Sequence, residues 1–215
     1  FSNIYLFINE CDYVAPEGVT TIVYDSEQSY TEQMNYCLAQ VKEEVLLYAN
    51  EDYLFYAPAN KHIANDLLEV LNKDENLSFI KFCHTNMERY PVYDENLFLI
   101  NGRSHNNFSQ TLSFWKTSRL VDIPLACPKA GIGENGNVIG HLEVLAKDVC
   151  RQLNIAGVCY FNNEHKRGFH HFDTEVFPHV ASAIVKGKWN YSEYPEELTA
   201  MLAEGGIDPT ERGMV

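Results

Sequence analysis

Residues 45–56, "VLLYANEDYLFY", form an apolar run broken by Asn50, Glu51 and Asp52 and resumed at once by Tyr53, Leu54, Phe55 and Tyr56. Carboxylates in apolar surroundings are costly unless a charge meets them. Either a turn lifts these groups into water or a ligand binds there. If the stretch is extended, neighbours alternate, so Asn50 and Asp52 share one side and Glu51 takes the other. An amide oxygen and a carboxylate at the end of a buried strand suit a hard cation such as Mn²⁺ or Mg²⁺. A turn or helix cap built on Asp52 accounts for the same residues.

A second group lies in "HHFDTEVFPHVASAIVKGKWN", residues 170–190. His179 could complete a metal shell whose other ligands are oxygens. Lys186 and Lys188 flank Gly187, with Trp189 next; the glycine permits close backbone approach and the lysines offer point charges to phosphate. A helix ending in a glycine cap, with lysines favouring its dipole, reads the same letters. Glu143 sits beside an apolar helical stripe, where a carboxylate could act as general base or hold a sugar hydroxyl; it also suits a helix N-terminus as a plain anion. "GIGENG" matches G-x-G-x-x-G at Gly131, Gly133 and Gly136. The preceding "DIPLACPKA" carries two prolines and is a poor strand, so this is a loop rather than a dinucleotide fingerprint.

The frame around these residues is α/β. Apolar runs at 4–8 and 20–25 read as strands, each closing on polar residues. A helix follows, with Tyr30, Met34, Cys37, Leu38 and Val41 in register and a Ser29/Glu32 capping box. "EVLLYA" is a third strand. A helix over 60–72, with Ile63, Leu67, Leu68 and Leu71 as its stripe, leads to a strand at 77–83. Residues 84–96 read as irregular, 96–100 and 111–116 as strands, and 117–137 as a Pro- and Gly-containing segment. A helix over 138–153 and the strand "GVCYFNN" come next, then helices near 175–185 and 195–204. Polar residues recur at strand ends, where parallel open sheets bind ligands.

At 215 residues the chain fits one domain. Thirty acidic against 16 basic residues, net charge −14, argues against nucleic acid as a partner, since phosphate backbones require many cations. Such a protein handling an anionic nucleotide needs a local remedy: a divalent cation and a few lysines. The six cysteines, at 11, 37, 83, 127, 150 and 159, lack CxxC spacing and read as reduced thiols of a cytoplasmic protein. No apolar run reaches a membrane span and no signal peptide is legible. The ends, Phe1 and Val215, read as those of a domain excised from a longer polypeptide.

Taken in order, "VLLYANEDYLF", "LSFIKF", "FSQTLSFWKTSRL", "GHLEVLAKDV" and "FPHVASAIVKGKWNYSEYPEELTAMLAEGGIDPTERG" resemble the GT-A glycosyltransferases, in particular small sugar transferases of bacteria and large DNA viruses. The resemblance implies a Rossmann-like, mixed but mostly parallel central sheet flanked by helices. It implies one domain over 1–215, with a nucleotide-binding part at about 1–100 and a donor-sugar and acceptor part at about 101–215. It further implies a UDP-sugar donor, a glycan or glycoprotein acceptor, Mn²⁺ or Mg²⁺, and host cytoplasm for a viral member. Residue by residue, Asn9, Asp12 and Asp25 would meet base and ribose. Asn50, Glu51 and Asp52 fall on the D-x-D motif for metal and ribose. Lys186, Lys188 and Trp189 would touch the diphosphate, with His179 as a metal ligand. Gln110 and Ser113 would line the donor sugar, and Glu143, with Asp52, would serve catalysis. The first D-x-D position is Asn50 here, which shifts the metal toward Asp52 alone.

Two alternatives share parts of this pattern. A sugar-1-phosphate nucleotidyltransferase needs a basic Gly-rich loop after its first strand, and "INECDYVAPEGV" has no basic residue. A non-catalytic nucleotide-sugar or carbohydrate-binding module keeps the pocket without the chemistry.

Overall fold

A computed structural model describes residues 2–9, 12–82, 90–104, 107–129, 131–132, 138–166 and 172–215. The strands are β1 (Ile4–Ile8), β2 (Val19–Val23), β3 (Val45–Tyr48), β4 (Leu54–Phe55), β5 (Phe79–Lys81), β6 (Val92–Asp94), β7 (Leu97–Ile100), β8 (Ser113–Lys116), β9 (Gly131–Ile132), β10 (Val138–Gly140), β11 (Gly157–Tyr160), β12 (His179–Val180), β13 (Ile184–Val185) and β14 (Lys188–Trp189). The helices are α1 (Tyr30–Leu38), α2 (Lys61–Lys73), α3 (Thr117–Ala126), α4 (Leu142–Gln152), α5 (Pro195–Glu204) and α6 (Pro209–Arg212).

These elements form a mixed α/β structure around a six-stranded sheet of order β3-β8-β5-β11-β7-β6. β11 runs parallel to β5 and antiparallel to β7, and β7 is antiparallel to β6. The sheet is therefore mixed, as the sequence suggested, but of these three pairings only β11–β5 is parallel where a mostly parallel sheet was expected. The cause is local: Glu95 and Asn96 alone separate β6 from β7, and so short a link joins only antiparallel strands. β1 and β2 pair in parallel as expected, but as a separate two-stranded sheet.

The chain divides into two compact units, one of Phe1–Leu46, Asn101–Ser109 and Trp115–Ile155, the other of Leu47–Ile100, Gln110–Phe114 and Ala156–Val215. In the first, α3 packs against α1 and α4. The Thr117 amide donates to the Glu44 carbonyl at 2.9 Å, and the Ser29/Glu32 capping box is formed at the start of α1. In the second, Phe79, Ile80, Ile100, Val158 and Cys159 are fully buried. Gly157 is required where β11 meets β5: a Cβ there would lie 2.4 Å from the Phe79 carbonyl oxygen. Phe82, Phe114 and Phe177 meet edge to face, with centroids 5.0, 4.9 and 5.5 Å apart. A further core joins Val180, Ala183, Trp189, Tyr194, Leu198 and Leu202, so α5 seals the β13–β14 hairpin.

Several sequence expectations are corrected. No helix occupies 175–185; β12 and β13 lie there. Val176, Phe177, Val180, Ala181 and Ala183 are all buried, so their apolar run has no exposed side to give it a period, and Pro178 and the β-branched residues favour extension. The segment 117–126 is helical despite Pro124, because Thr117, Leu120, Ile123 and Pro124 form its buried stripe. The 138–153 helix begins only at Leu142, after β10. β6 lies within the stretch read as irregular. Gly133, Gly136, His170, His171, Cys11 and Cys83 lie outside the described residues.

Candidate functional site

The acidic motif sits in a turn, not on a strand: the Tyr53 amide donates to the Asn50 carbonyl at 3.1 Å, so strand alternation does not apply. Three side chains lock this turn. The Tyr48 hydroxyl donates to Asn50 Oδ1 at 3.0 Å, Asn50 Nδ2 donates to the Gln110 carbonyl at 3.0 Å, and Gln110 Nε2 donates to the Tyr48 hydroxyl at 3.1 Å. Asn50 thus uses both ends of its amide. An aspartate at position 50 would have no donor for the Gln110 carbonyl.

Glu51 is exposed and Asp52 half-buried. Asp52 Oδ1 is buried and has no hydrogen-bond partner among the described residues. Burial, then the nearby Glu51 charge, raises the proton affinity of Asp52; hydrogen bonds from its own backbone and from Ser182 partly offset this. The Asp52 carbonyl accepts from the Ala183 amide at 2.9 Å. Ser182 holds a left-handed backbone, φ 56, and its carbonyl accepts from Asn190 Nδ2 at 3.1 Å. A left-handed residue against a costly carboxylate makes this turn the candidate site.

His179, on β12 opposite Phe55 of β4, is fully buried. Its Nδ1 lies 2.7 Å from the Phe177 carbonyl. A carbonyl can only accept, so Nδ1 carries a proton, and in the neutral imidazole the lone pair is then on Nε2. The aromatic trio around Phe177 fixes that carbonyl. Tyr53 and Phe55 flank the imidazole, with centroids 5.3 and 6.3 Å away.

Lys186 and Gly187 form a two-residue turn with φ 51 and 77, joining β13 to β14. Lys186 and Lys188 are exposed, whereas Trp189 is only 7% exposed, within the α5 core. Arg212, which carried no signal in the sequence, lies with its guanidinium 5.3 Å over the Trp189 ring. Ser113 is fully buried, its hydroxyl donating to the Thr111 carbonyl at 2.7 Å.

The remaining candidates belong to the other unit. Asn9 and Asp12 are exposed beyond β1. Asp25 Oδ1 accepts from the Glu27 amide at 2.9 Å, a local turn leading into α1. Glu143 is half-buried in the first turn of α4. Tyr48, Ser182 and Asn190, like Arg212, have roles that only tertiary structure reveals.

Among the described residues no three His, Cys, Asp or Glu side chains form a metal-holding group. Asp52 still fits a hard cation that takes most of its ligands from substrate and water, because it offers a buried oxygen without a partner among the described residues. Among the described residues, Cys37, Cys127, Cys150 and Cys159 are not in disulfides, and no helix is long and apolar enough to cross a membrane. Comparison of the chain with protein-family models and with curated proteins finds no match.

Proposed function

We propose that the chain is a glycosyltransferase of the GT-A type, transferring a sugar from a UDP-sugar to a glycan or glycoprotein acceptor. The observation that carries this reading is Asp52: a carboxylate in a half-buried turn against strained backbone, with an unpartnered oxygen and a raised proton affinity. Such a group is costly until a cation meets it. Mn²⁺ or Mg²⁺ would be held by Asp52 and His179, and when bound would supply the positive charge that offsets the departing diphosphate.

The chain's own residues supply the rest. The Tyr48–Asn50–Gln110 ring fixes the turn, so that Asp52 does not reorganise as charge develops. Asn190 holds Ser182 where it can donate to Asp52. Lys186 and Lys188 place cations at the tip of the hairpin for the diphosphate. β13 follows directly on Ala183, whose amide donates to the Asp52 carbonyl, so the hairpin that carries the lysines starts at the turn. A cytoplasmic setting fits the described cysteines, which are not in disulfides.

UDP release from a panel of UDP-sugars, with Mn²⁺ and without acceptor, tests the reading. The wild type should hydrolyse one donor slowly, and Asp52→Asn should abolish both hydrolysis and Mn²⁺-dependent UDP binding. Binding of a UDP-sugar without release of UDP would instead identify a non-catalytic binding module. Equal Mn²⁺-dependent UDP binding by wild type and Asp52→Asn would remove the metal assignment.

A further inference from the structure

We propose that Arg212 is the third cation of a cradle, with Lys186 and Lys188, that binds the diphosphate of the donor; the inference rests on the reading above and adds a residue to it. The C-terminal segment is laid along β14: the Trp189 amide donates to the Gly213 carbonyl, and the Val215 amide to the Trp189 carbonyl, each at 2.9 Å. This pairing brings Arg212 to the tip of the β13–β14 hairpin. One guanidinium N–H lies 3.4 Å from the Gly187 carbonyl, while the plane rests 5.3 Å over the Trp189 ring. The Lys188 stem runs beside Gly213, where its carbons would be 4.0 Å from an added Cβ. Arg212 is thereby oriented from two sides, and its other donors remain for an incoming anion.

Charge supports the assignment. Acids outnumber bases by 30 to 16 in the chain, yet Lys186, Lys188 and Arg212 have no carboxylate partner among the described residues. Lys42, Lys61, Arg103 and Lys147 also lack one; what sets the hairpin apart is that three such cations gather there. The backbone agrees. Lys186 occupies a left-handed turn position, φ 51, where Asn or Gly is the less costly residue. A lysine there accepts strain and puts a cation one residue before Gly187, whose carbonyl Arg212 meets. The Trp189 indole, the platform for the guanidinium, is buried with no hydrogen-bond partner for Nε1 among the described residues.

Calorimetric titration in Mg²⁺ with UDP, uridine and inorganic pyrophosphate tests the cradle on the wild type, Arg212→Gln and Arg212→Lys, with thermal unfolding confirming that each variant folds. Arg212→Gln should weaken UDP and pyrophosphate about 10- to 100-fold, the usual worth of a charged hydrogen bond, and leave uridine unchanged. Arg212→Lys should fall between, because it restores the charge but not the planar fork. Undiminished UDP binding by Arg212→Gln would overturn the cradle while leaving the donor reading standing. Arg212-dependent pyrophosphate binding without UDP binding would uphold the cradle and remove the donor reading. Equal losses for UDP and uridine would show that Arg212 only pins the tail, and the cradle would fall.

Discussion

Replacing Asn50 with aspartate would create a D-x-D pattern at 50–52, and the structure says that it should harm the protein. Asn50 Nδ2 donates to the Gln110 carbonyl at 3.0 Å; a carboxylate there sets acceptor against acceptor. Losing the bond costs about 1 kcal/mol, and leaving a half-buried carbonyl unsatisfied costs at least about another 1 kcal/mol. At roughly 2–4 °C per kcal/mol for a chain of this size, Asn50→Asp should lower the Tm by about 4–8 °C. The pH dependence identifies the cause. Once protonated, the introduced carboxyl can again donate to Gln110, so its folded pKa is raised. The loss should therefore be absent in acid and grow as pH climbs above about 4, the ordinary aspartate range. Circular dichroism melts from pH 3.5 to 8, with Mn²⁺ titration in parallel, read both effects. An unchanged Tm together with tighter Mn²⁺ binding would refute the account, because Asn50 would then be a metal ligand rather than the lock of the turn.

Asp52→Asn should raise the Tm at pH 7. Burial and Glu51 push the Asp52 pKa up, so the ionised form destabilises the fold, and the gain should vanish below about pH 4, where Asp52 is protonated folded or unfolded; a gain independent of pH would mean its charge is not the burden. Lys186→Asn should relieve the left-handed backbone and add about 0.5–1 kcal/mol of stability while weakening UDP about 10-fold, a split that a purely structural lysine would not show in calorimetry. Gly157→Ala should cost about 2–3 kcal/mol, since its Cβ would press on the Phe79 carbonyl; a melt within about 2 °C of wild type, less than 1 kcal/mol at this size, would show that β5 and β11 separate easily.

The sequence is most readable where one periodic face meets one core. Leu67 and Leu71 mark α2, and α5 falls on the 195–204 expectation. It is least readable where burial comes from both sides. The run 176–184 reads as a helix because every apolar position is covered, and strand and helix then look alike. The prolines at 124 and 128 hide α3, although Pro124 lies in its buried stripe. Asp52 and His179 are visible as residue types, but the turn that frees an Asp52 oxygen depends on Ser182 and Asn190, more than a hundred positions away. The role of Asn50 comes from Gln110, and that of Arg212 from pairing of the tail with β14. No local pattern encodes such meetings.

The chain contains two tryptophans, both nearly sealed from solvent. Trp115, 1% exposed, belongs to one compact unit and Trp189 to the other. Each half of the molecule therefore carries its own intrinsic fluorophore. Single Trp→Phe variants would let emission spectra follow the halves separately during urea unfolding, and midpoints that coincide or part would reveal whether they lose structure as one cooperative body or in succession.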